Sequence, residues 1–375
     1  MVSSSRIISE FMALSRIDRL SKREREAVHF VTGKLTALGL EVYQDQAHST
    51  FGGEAGNVIA VLPGNNPGFP PVMFCAHLDV VEPGSGIEPV VEDGIITSKG
   101  ETVLGADDGA GVVAILEALR CLIDSGTPHG DIEVVFTVAE EVGLLGSKGL
   151  ERERLRSRFG FILDSGGHPG EIILQGPAQD SLEATFFGRA AHAGSNPQEG
   201  INAIQMAARA IARMNLGRVD EETTANIGVI QGGRATNIIP DRVELKGEAR
   251  SQQEDQLNKQ VLHMQGCLEK AAQEFGGRVE IRIERQYPPF RLDPSEEPVH
   301  IASKAAREIG IEPRLKSSGG GSDANILNGY GIKCVNLGLG MQKVHTTEEH
   351  IAVQDLVRAA EYVLALIKNC AVSKA

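Results

Sequence analysis

Several short stretches of this sequence place ionisable side chains directly after apolar runs. In "FCAHLDVV", His77 and Asp79 follow the apolar residues of the stretch and are separated by one residue. Residues two apart in a strand face the same side, so both polar groups would point one way. A metal-bound histidine nearly always donates its other ring N–H to a partner such as a carboxylate. A buried His–Asp pair is also a common structural feature, and this motif alone favours that plainer interpretation.

A second stretch, "GADDGAG", places Asp107 and Asp108 in a glycine-flanked loop directly before an apolar helical segment. One aspartate is sufficient as a helix N-cap, since its side chain accepts hydrogen bonds from free backbone N–H groups. The cap therefore leaves one of the two aspartates unexplained. Glycines on both sides allow the strained backbone that functional loops often have.

Three further stretches have the same arrangement. Glu140 and Glu141 end the apolar run "IEVVFTVA", Asp164 ends "GFILD", and His345 follows "CVNLGLG". Adjacent carboxylates at a buried strand end repel each other unless a cation lies between them, whereas at a solvated edge they need no partner. The apolar residues on both sides of the glutamates favour burial.

The elements that must position these residues are apolar strands separated by helical segments. This alternation predicts an α/β domain with a mixed, mainly parallel sheet flanked by helices. In open α/β sheets, ligands bind at the carboxyl ends of the strands, which is where each candidate residue lies. Two histidines and several carboxylates without cysteine suit zinc or a similar divalent ion. Two ions about 3.5–4 Å apart, bridged by one carboxylate, would explain the number of acidic groups.

A different order of elements lies between two proline-containing boundaries, Gly176-Pro177 and Pro288-Pro289. The pattern there predicts the βαββαβ order of a ferredoxin-like unit. We therefore predict a large α/β domain from residues 1–176 and 289–375, with an inserted domain at residues 177–288. The predicted inserted elements are strand 181–189, helix 200–214, strand 225–231, strand 241–250, helix 252–275 and strand 278–286.

Composition excludes several classes of function. The net charge of −13 disfavours binding to a phosphate backbone, and the absence of tryptophan argues against a stacking platform for single-stranded nucleic acid. The five cysteines are scattered without a CxxC pair, which is typical of reduced thiols. The N-terminal segment has no signal-peptide h-region, and no apolar run approaches membrane-spanning length. We expect a cytoplasmic protein that binds neither nucleic acid nor membrane.

Five stretches taken together resemble the motifs of the co-catalytic di-zinc metallopeptidases. They are "AHLDVV", "GADDGAG", "AEEVGLLGSKGL", "LDSGG" and "KVHTTEEH". That family includes peptidase T, carboxypeptidase G, aminoacylase-1 and succinyl-diaminopimelate desuccinylase, and the likeness is closest to peptidase T and its shorter relatives. The resemblance spans nearly the whole chain in the family's motif order. It implies a zinc-exopeptidase-like catalytic domain and an inserted lid, residues 177–288, through which the chain would form a homodimer.

The resemblance also implies a role for each motif residue. One metal ion would be held by His77, Asp107 and Asp164, and the other by Asp107, Glu141 and His345, with Asp107 bridging. Asp79 would orient His77, and Glu140 would be the general base that activates a metal-bridging water. A cis peptide bond would follow Asp107. The ions would be zinc, with cobalt or manganese as alternatives.

In the lid, the resemblance implies that His192 stabilises the oxyanion, although a lone histidine in a Gly/Ala-rich turn is more often a plain surface residue. Asn237 and Arg250 match lid positions that bind substrate, and an arginine is suited to grip a carboxylate; a solvated strand end is the plainer interpretation of Arg250. Gly320 and Gly321, in "SSGGGSDAN", would line the substrate pocket, unless this stretch is simply a flexible loop.

The resemblance predicts a metal-dependent exopeptidase, a tripeptidase or aminopeptidase acting on short peptides. Two departures from peptidase T put strict tripeptide specificity in doubt: Gly109 stands where many relatives have lysine, and the chain is shorter. The first alternative is an N-acyl-amino-acid deacylase, or a dipeptidase or carboxypeptidase, of the same family. The second is a catalytically inactive homologue that only binds metal or peptide.

Overall fold

A computed structural model describes residues 1–371 of the chain, so residues 372–375 of the predicted catalytic domain lie outside the described residues. The helices are α1 Ser4–Ser15, α2 Arg25–Ala37, α3 Ala106–Ser125, α4 Leu145–Lys148, α5 Ala203–Ile211, α6 Glu254–Phe275, α7 Glu297–Glu308, α8 Asp323–Gly329 and α9 Val353–Cys370. The strands are β1 Glu41–Gln44, β2 Val58–Leu62, β3 Val72–His77, β4 Pro89–Glu92, β5 Ile95–Ser98, β6 Ile132–Thr137, β7 Phe159–Ser165, β8 Glu171–Gly176, β9 Ala178–Phe187, β10 Gly217–Arg218, β11 Thr223–Gly232, β12 Arg242–Ser251, β13 Arg278–Tyr287, β14 Phe290–Arg291, β15 Arg314–Ser317, β16 Lys333–Gly338 and β17 His350–Ala352. None of the helices within residues 1–371 is long and apolar enough to span a bilayer.

The chain forms two compact units. The first contains Met1–Gln175, Arg291–Ser318 and the chain from Ser322 on, and the second contains Gly176–Phe290 and Gly319–Gly321. The main sheet of the first unit has the order β1-β2-β6-β3-β7-β16-β8, and β15 pairs with β8. The pairs β6/β3, β3/β7 and β7/β16 are parallel, whereas β1/β2, β2/β6 and β16/β8 are antiparallel. This mixed, mainly parallel sheet confirms the predicted fold class.

Every residue of β3 and of β6 is buried, as expected for central strands that are covered on both faces. Helices α3, α9, α1 and α7 contribute to the same hydrophobic core as these strands. Because β3, β6, β7 and β16 run in parallel, their carboxyl ends lie at one edge of the sheet. The candidate residues that follow these strands are thereby brought together.

The second unit is an antiparallel sheet with the order β10-β11-β12-β9-β13. Burial alternates along β9, and helices α5 and α6 pack on the sheet to form a separate apolar core. The βαββαβ order is confirmed. The structure places the first strand a few residues earlier than predicted, at Ala178–Phe187, and adds the two-residue strand β10. The role of residues 177–288 as a lid and dimerisation domain stays a prediction.

Candidate metal centre

His77 is the last residue of β3 and its side chain is only 1% exposed. Its Nδ1 lies 3.0 Å from the backbone oxygen of Asp79 and 3.4 Å from Oδ1 of the same residue. These contacts favour the tautomer with the proton on Nδ1, which leaves the lone pair of Nε2 available. Nε2 faces Oδ1 of Asp107 at 3.1 Å. The pairing of His77 with Asp79 predicted from the sequence is therefore present. It leaves Nε2 available to bind a metal ion.

Asp107 lies between two histidines. Its Oδ1 faces His77, and its Oδ2 lies 3.3 Å from Nε2 of His345. The backbone here is not helical although it falls within α3, and the Asp107–Asp108 peptide bond is cis, as the resemblance implied. Burial alone would raise the pKa of Asp107, but the hydrogen bonds with the two histidines outweigh it and hold that pKa below its usual range. One carboxylate thus faces two histidines, one with each oxygen.

The remaining candidates complete two groups around Asp107. Oδ1 of Asp164 lies 3.7 Å from Nε2 of His77, and Oε1 of Glu141 lies 2.9 Å from Nε2 of His345. Hydrogen bonds to Asp107 and Glu141 raise the pKa of His345 to about 10. In each group, one ligand atom per residue lies within 4.8 Å of the others. Two of the groups that could hold an ion are His77, Asp107 and Asp164, and Asp107, Glu141 and His345; a third is His77, Glu140 and Glu141.

Glu140 is buried beside these groups, and its carboxylate lies within 4.8 Å of ligand atoms of His77 and Glu141. Burial raises the pKa of Glu140, and that of Asp164, well above the usual range. Carboxylates packed this closely repel one another in the absence of a cation. The nitrogen and carboxylate donors match what zinc, cobalt and manganese accept, so the residues present fit divalent ions.

Asp79 contacts more than His77. Its Oδ1 accepts a hydrogen bond from the backbone N–H of Glu140 at 3.0 Å, and its Oδ2 accepts one from that of Glu141 at 3.2 Å. The hydroxyl of Ser21 also donates to Oδ2, at 2.6 Å. One buried carboxylate therefore orients both the imidazole of His77 and the loop that carries the two glutamates.

Asp108 makes the hydrogen bond of a helix cap and also binds the end of β3. Helix α3 is bounded by Gly105, but the backbone at Asp107 and Asp108 is not helical, so the regular helix begins after Asp108. Asp108 is fully buried, and it accepts hydrogen bonds from the backbone N–H groups of His77 and Gly111, each at 3.1 Å. The second aspartate of the pair thus ties the end of β3 to the start of α3.

Glu349 and Asn336 support the centre and could not be identified from the sequence. Glu349 is buried and accepts hydrogen bonds from the backbone N–H groups of Leu104 and Gly105 through Oε2 and of Asp107 through Oε1, at 2.7–2.9 Å. Asn336 accepts from the backbone N–H of Asp164 at 3.0 Å and donates to its backbone oxygen at 2.7 Å. Each residue fixes the backbone beside a candidate metal ligand, Asp107 or Asp164. In the sequence, the only indication of their role is that each is a polar residue close to one of the motifs.

His192, in the second unit, is exposed. Its Nδ1 accepts hydrogen bonds from the backbone N–H groups of Gly194 at 3.1 Å and Ser195 at 3.0 Å. An acceptor Nδ1 in a neutral imidazole requires the proton to be on Nε2. The turn therefore presents His192 as a hydrogen-bond donor through Nε2.

The other predicted substrate residues are described within the second unit. Arg250 donates from Nε and Nη2 to the two carboxylate oxygens of Glu248, at 2.9 Å and 3.0 Å, so one edge of its guanidinium is occupied. Asn237 is exposed, and its backbone oxygen accepts from the N–H of Ala193 at 2.9 Å. Gly320 and Gly321 precede α8, and a Cβ on Gly321 would collide with the ring of Tyr287. Substrate binding by these residues stays a prediction.

Glu24, the N-cap residue of α2, supports the same centre. Its ionisation should make the stability of the chain depend on pH in a way that can be measured. Its Oε1 accepts hydrogen bonds from the backbone N–H groups of Lys22 at 2.6 Å and of Ala139, next to Glu140, at 2.9 Å. Burial, with a contribution from the charge of Asp79, raises the pKa of Glu24 to about 7.

A raised pKa means that the folded chain favours the protonated carboxyl. The resulting stabilisation is complete below pH 4.5 and is lost as the pH rises through about 7. Glu24→Gln imitates the protonated group. We therefore expect its stability relative to the original chain to rise by about 2.5 kcal/mol between about pH 5 and about pH 8.5, given about 1.4 kcal/mol per pKa unit. Thermal unfolding of metal-free proteins measures this change. An equal difference at both pH values would contradict it.

Comparison with known proteins agrees with this geometry. Residues 73–369 match the model of the peptidase family M20/M25/M40. Protein YqjE of Bacillus subtilis, itself described as uncharacterized, is 43% identical over 99% of this chain and 100% of its own. The crystal structure of aminopeptidase PepT from Bacillus cereus is 44% identical, with a TM-score of 0.90 over 99% of both chains. A tripeptidase from Staphylococcus aureus is 40% identical, with a TM-score of 0.95 over 100% of both chains. The chain belongs to the peptidase family M20/M25/M40.

Proposed function

We propose that this chain is a metal-dependent aminopeptidase that hydrolyses short peptides, tripeptides among them. The observation that carries the proposal is the position of Asp107, with one carboxylate oxygen towards His77 and the other towards His345. The similarity to an aminopeptidase and to a tripeptidase, at 44% and 40% identity over nearly the full length, supports the choice of substrate class.

Two divalent ions would be held by the two groups that share Asp107. His77 and Asp164 would complete one ligand set, and Glu141 and His345 the other. We propose zinc, with cobalt or manganese as alternatives, because imidazole nitrogen and carboxylate oxygen suit all three. When bound, such ions lower the pKa of water towards about 7 and polarise the scissile carbonyl.

Glu140 would act as the general base. Its carboxylate would accept a proton from the attacking water and later deliver that proton to the leaving amine. A general base works best when its pKa is close to the working pH. In the metal-free chain burial raises the pKa of Glu140, and nearby divalent ions would lower it again. The hydrogen bond from its backbone N–H to Asp79 holds the residue in place.

His192 would stabilise the oxyanion that forms when the carbonyl is attacked. Its Nδ1 already accepts two backbone N–H groups, so its Nε2–H is the donor available for a developing negative charge. A neutral imidazole is sufficient for this role. Arg250 and Asn237 would contribute to recognition of the peptide.

Metal content and peptide hydrolysis, measured before and after chelation, test the proposed function. We expect about two ions per chain, loss of activity on chelation and recovery with zinc, cobalt or manganese. The substrates are a tripeptide panel, the matching dipeptides, N-blocked tripeptides and N-acetyl amino acids. Hydrolysis of N-acetyl amino acids in preference to free tripeptides would replace the proposal with a deacylase. Bound metal without hydrolysis of any of these would indicate an inactive homologue.

We also propose a homodimer through the second unit. Strand β10 pairs with only two residues of β11, and within the described residues no other strand pairs with that edge of β11. Beyond the paired segment, Val229 and Ile230 are 48% and 53% exposed. An unpaired edge with apolar side chains is suited to pairing with a second chain.

Ile230→Lys is expected to convert the dimer to a monomer, because an edge lysine would place a charge in the apolar contact. Light scattering coupled to size exclusion measures the mass. Leu262→Lys, on α6 of the same unit, is the control, since Leu262 is 66% exposed but lies on a helix. A monomeric original chain, or a variant that stays dimeric, would contradict the proposed interface.

A further inference from the structure

Arg19 is a fully buried arginine in the segment between α1 and α2. Its Nη2 donates to the backbone oxygen of Gly105 at 2.7 Å, and its Nη1 donates to that of Leu78 and lies 3.5 Å from that of Asp79. A buried charge is costly unless hydrogen bonds compensate for its lost hydration. Here the compensating acceptors are backbone carbonyls rather than a carboxylate.

The carbonyls that Arg19 binds belong to the two loops that carry the central ligand candidates. Leu78 directly follows His77, and Gly105 lies two residues before Asp107. One planar guanidinium therefore connects the loop after β3 to the loop before α3. Its fixed fork of donors sets the distance between the two loops.

Two glycines leave space for this guanidinium. A Cβ on Gly105 would lie 2.6 Å from Nη2 of Arg19, and one on Gly109 would lie 3.0 Å from it. Gly105 has a positive φ of 71°, so its backbone also favours glycine. Gly109 has no positive φ, and the nearest atom to its Cβ position is Nη2 of Arg19. The small residue at position 109 is thus explained by the presence of Arg19.

We propose that Arg19 is a positioning residue for the metal centre, which holds the His77 loop and the Asp107 loop at the separation required for both to ligate one ion. The inference rests on the proposed metal centre. Arg19 would touch neither substrate nor metal, and would act through the backbone at Leu78 and Gly105.

If Arg19 acted only through its positive charge, its removal would change the affinity for a divalent cation in the opposite direction. The guanidinium is attracted to nearby carboxylates, among them Glu349, Asp79 and Asp107. If Arg19 served only to offset their negative charge, its removal would leave the centre more negative and would strengthen the binding of a divalent cation. If Arg19 sets the position of the loops, its removal weakens that binding. The sign of the change in affinity distinguishes the two roles.

The experiment titrates metal-free protein with Co²⁺ and records affinity and the visible absorption bands, which report coordination geometry. For Arg19→Met we expect at least about tenfold weaker Co²⁺ binding and altered bands, in line with the 10–100-fold effect of removing outer-shell partners. Arg19→Lys keeps the charge but loses the planar fork, and we expect it to stay weakened. Co²⁺ binding by Arg19→Met that is unchanged or tighter, or full recovery in Arg19→Lys, would overturn the proposal.

A matched control separates positioning from general stability. Arg6, on α1, donates to both oxygens of the buried Glu117 at 2.6 Å and 2.7 Å, away from the centre. Arg6→Met is expected to lower the thermal midpoint while keeping the Co²⁺ affinity and bands of the original chain. If Arg6→Met weakens Co²⁺ binding as much as Arg19→Met does, the effect of Arg19 is general destabilisation and the proposal fails.

A second variant keeps the test valid if Arg19→Met does not fold. Gly109→Ala crowds Nη2 without removing the charge, and we expect weaker Co²⁺ binding with shifted bands. Binding of Co²⁺ by Gly109→Ala as in the original chain would overturn the proposal. Because the readout is binding without turnover, a chain that binds Co²⁺ but hydrolyses no peptide refutes the proposed function and leaves this inference standing.

Discussion

Replacing Glu140 with glutamine is expected to lower kcat for tripeptide hydrolysis by about 10²–10⁴-fold, the range that general acid–base catalysis contributes. Glutamine has nearly the same shape but cannot accept the proton of the attacking water. The hydrogen bond from the backbone N–H of residue 140 to Asp79 does not depend on the side chain, so the loop should keep its position. Metal content should stay at the level of the original chain.

Steady-state kinetics with metal analysis on the same samples measures this result. Glu133→Gln is the matched control, because Glu133 is another buried glutamate, in β6, whose carboxylate accepts the backbone N–H groups of Arg156 and Ser157. The control is expected to keep kcat. Unchanged turnover in Glu140→Gln would show that another group is the base. Loss of metal in that variant would show that Glu140 is a ligand, a role that its proximity to His77 and Glu141 would permit.

Replacing Asp107 with asparagine is expected to abolish stable binding of both ions and to reduce activity by at least about 10³-fold, since metal ions contribute several kcal/mol to such reactions. The carboxylate faces His77 with one oxygen and His345 with the other. Asparagine keeps one oxygen and replaces the other with an NH₂ group, which cannot ligate a cation. Both ligand groups lose a member because they share this residue.

Metal stoichiometry after dialysis, with the Co²⁺ spectrum as a second readout, tests the bridging role. Asp131→Asn is the control, because Asp131 accepts a backbone N–H from Gly64 through one oxygen, which asparagine also supplies. The control should retain about two ions per chain. An Asp107→Asn chain that retains one ion at full occupancy would indicate that Asp107 serves a single site, and retention of both would refute bridging.

The candidate centre depends on residues far away in the chain. Glu349 accepts backbone N–H groups around Asp107, more than 240 residues earlier, and Asn336 does the same for Asp164. Asp79 and Asp108 fix the end of β3 against the glutamate loop and α3. A metal centre needs its ligands held before the ion arrives, and here backbone N–H groups provide most of that restraint. Substitution of these residues should therefore affect metal affinity before it affects the chemical step.

The sequence by itself determined the α/β class, the order of elements in the second unit and the position of polar residues at the ends of apolar strands, whereas the choice of five metal ligands among them came from the resemblance and stays a prediction. The features that the sequence determined are local properties. Apolar runs of strand length predict buried strands, and the carboxyl ends of parallel strands meet at one edge, so polar residues such as His77 and Asp164 that end those runs must lie together. The pairing of His77 with Asp79 followed from a spacing of two residues.

Tertiary structure alone decided which other polar residues serve the centre. Arg19 and the exposed Arg16 each stand between a polar and an apolar residue, and only the packing of the segment after α1 buries one and not the other. The cap bond from Gly111 to Asp108 is local and could be predicted, whereas the bond from the backbone N–H of His77 to Asp108 could not. The bidentate pairing of Arg250 with Glu248 also depends on side-chain orientation. A hydrogen bond between residues far apart in the chain depends on which segments the fold brings together. The local sequence pattern carries no information about those tertiary contacts.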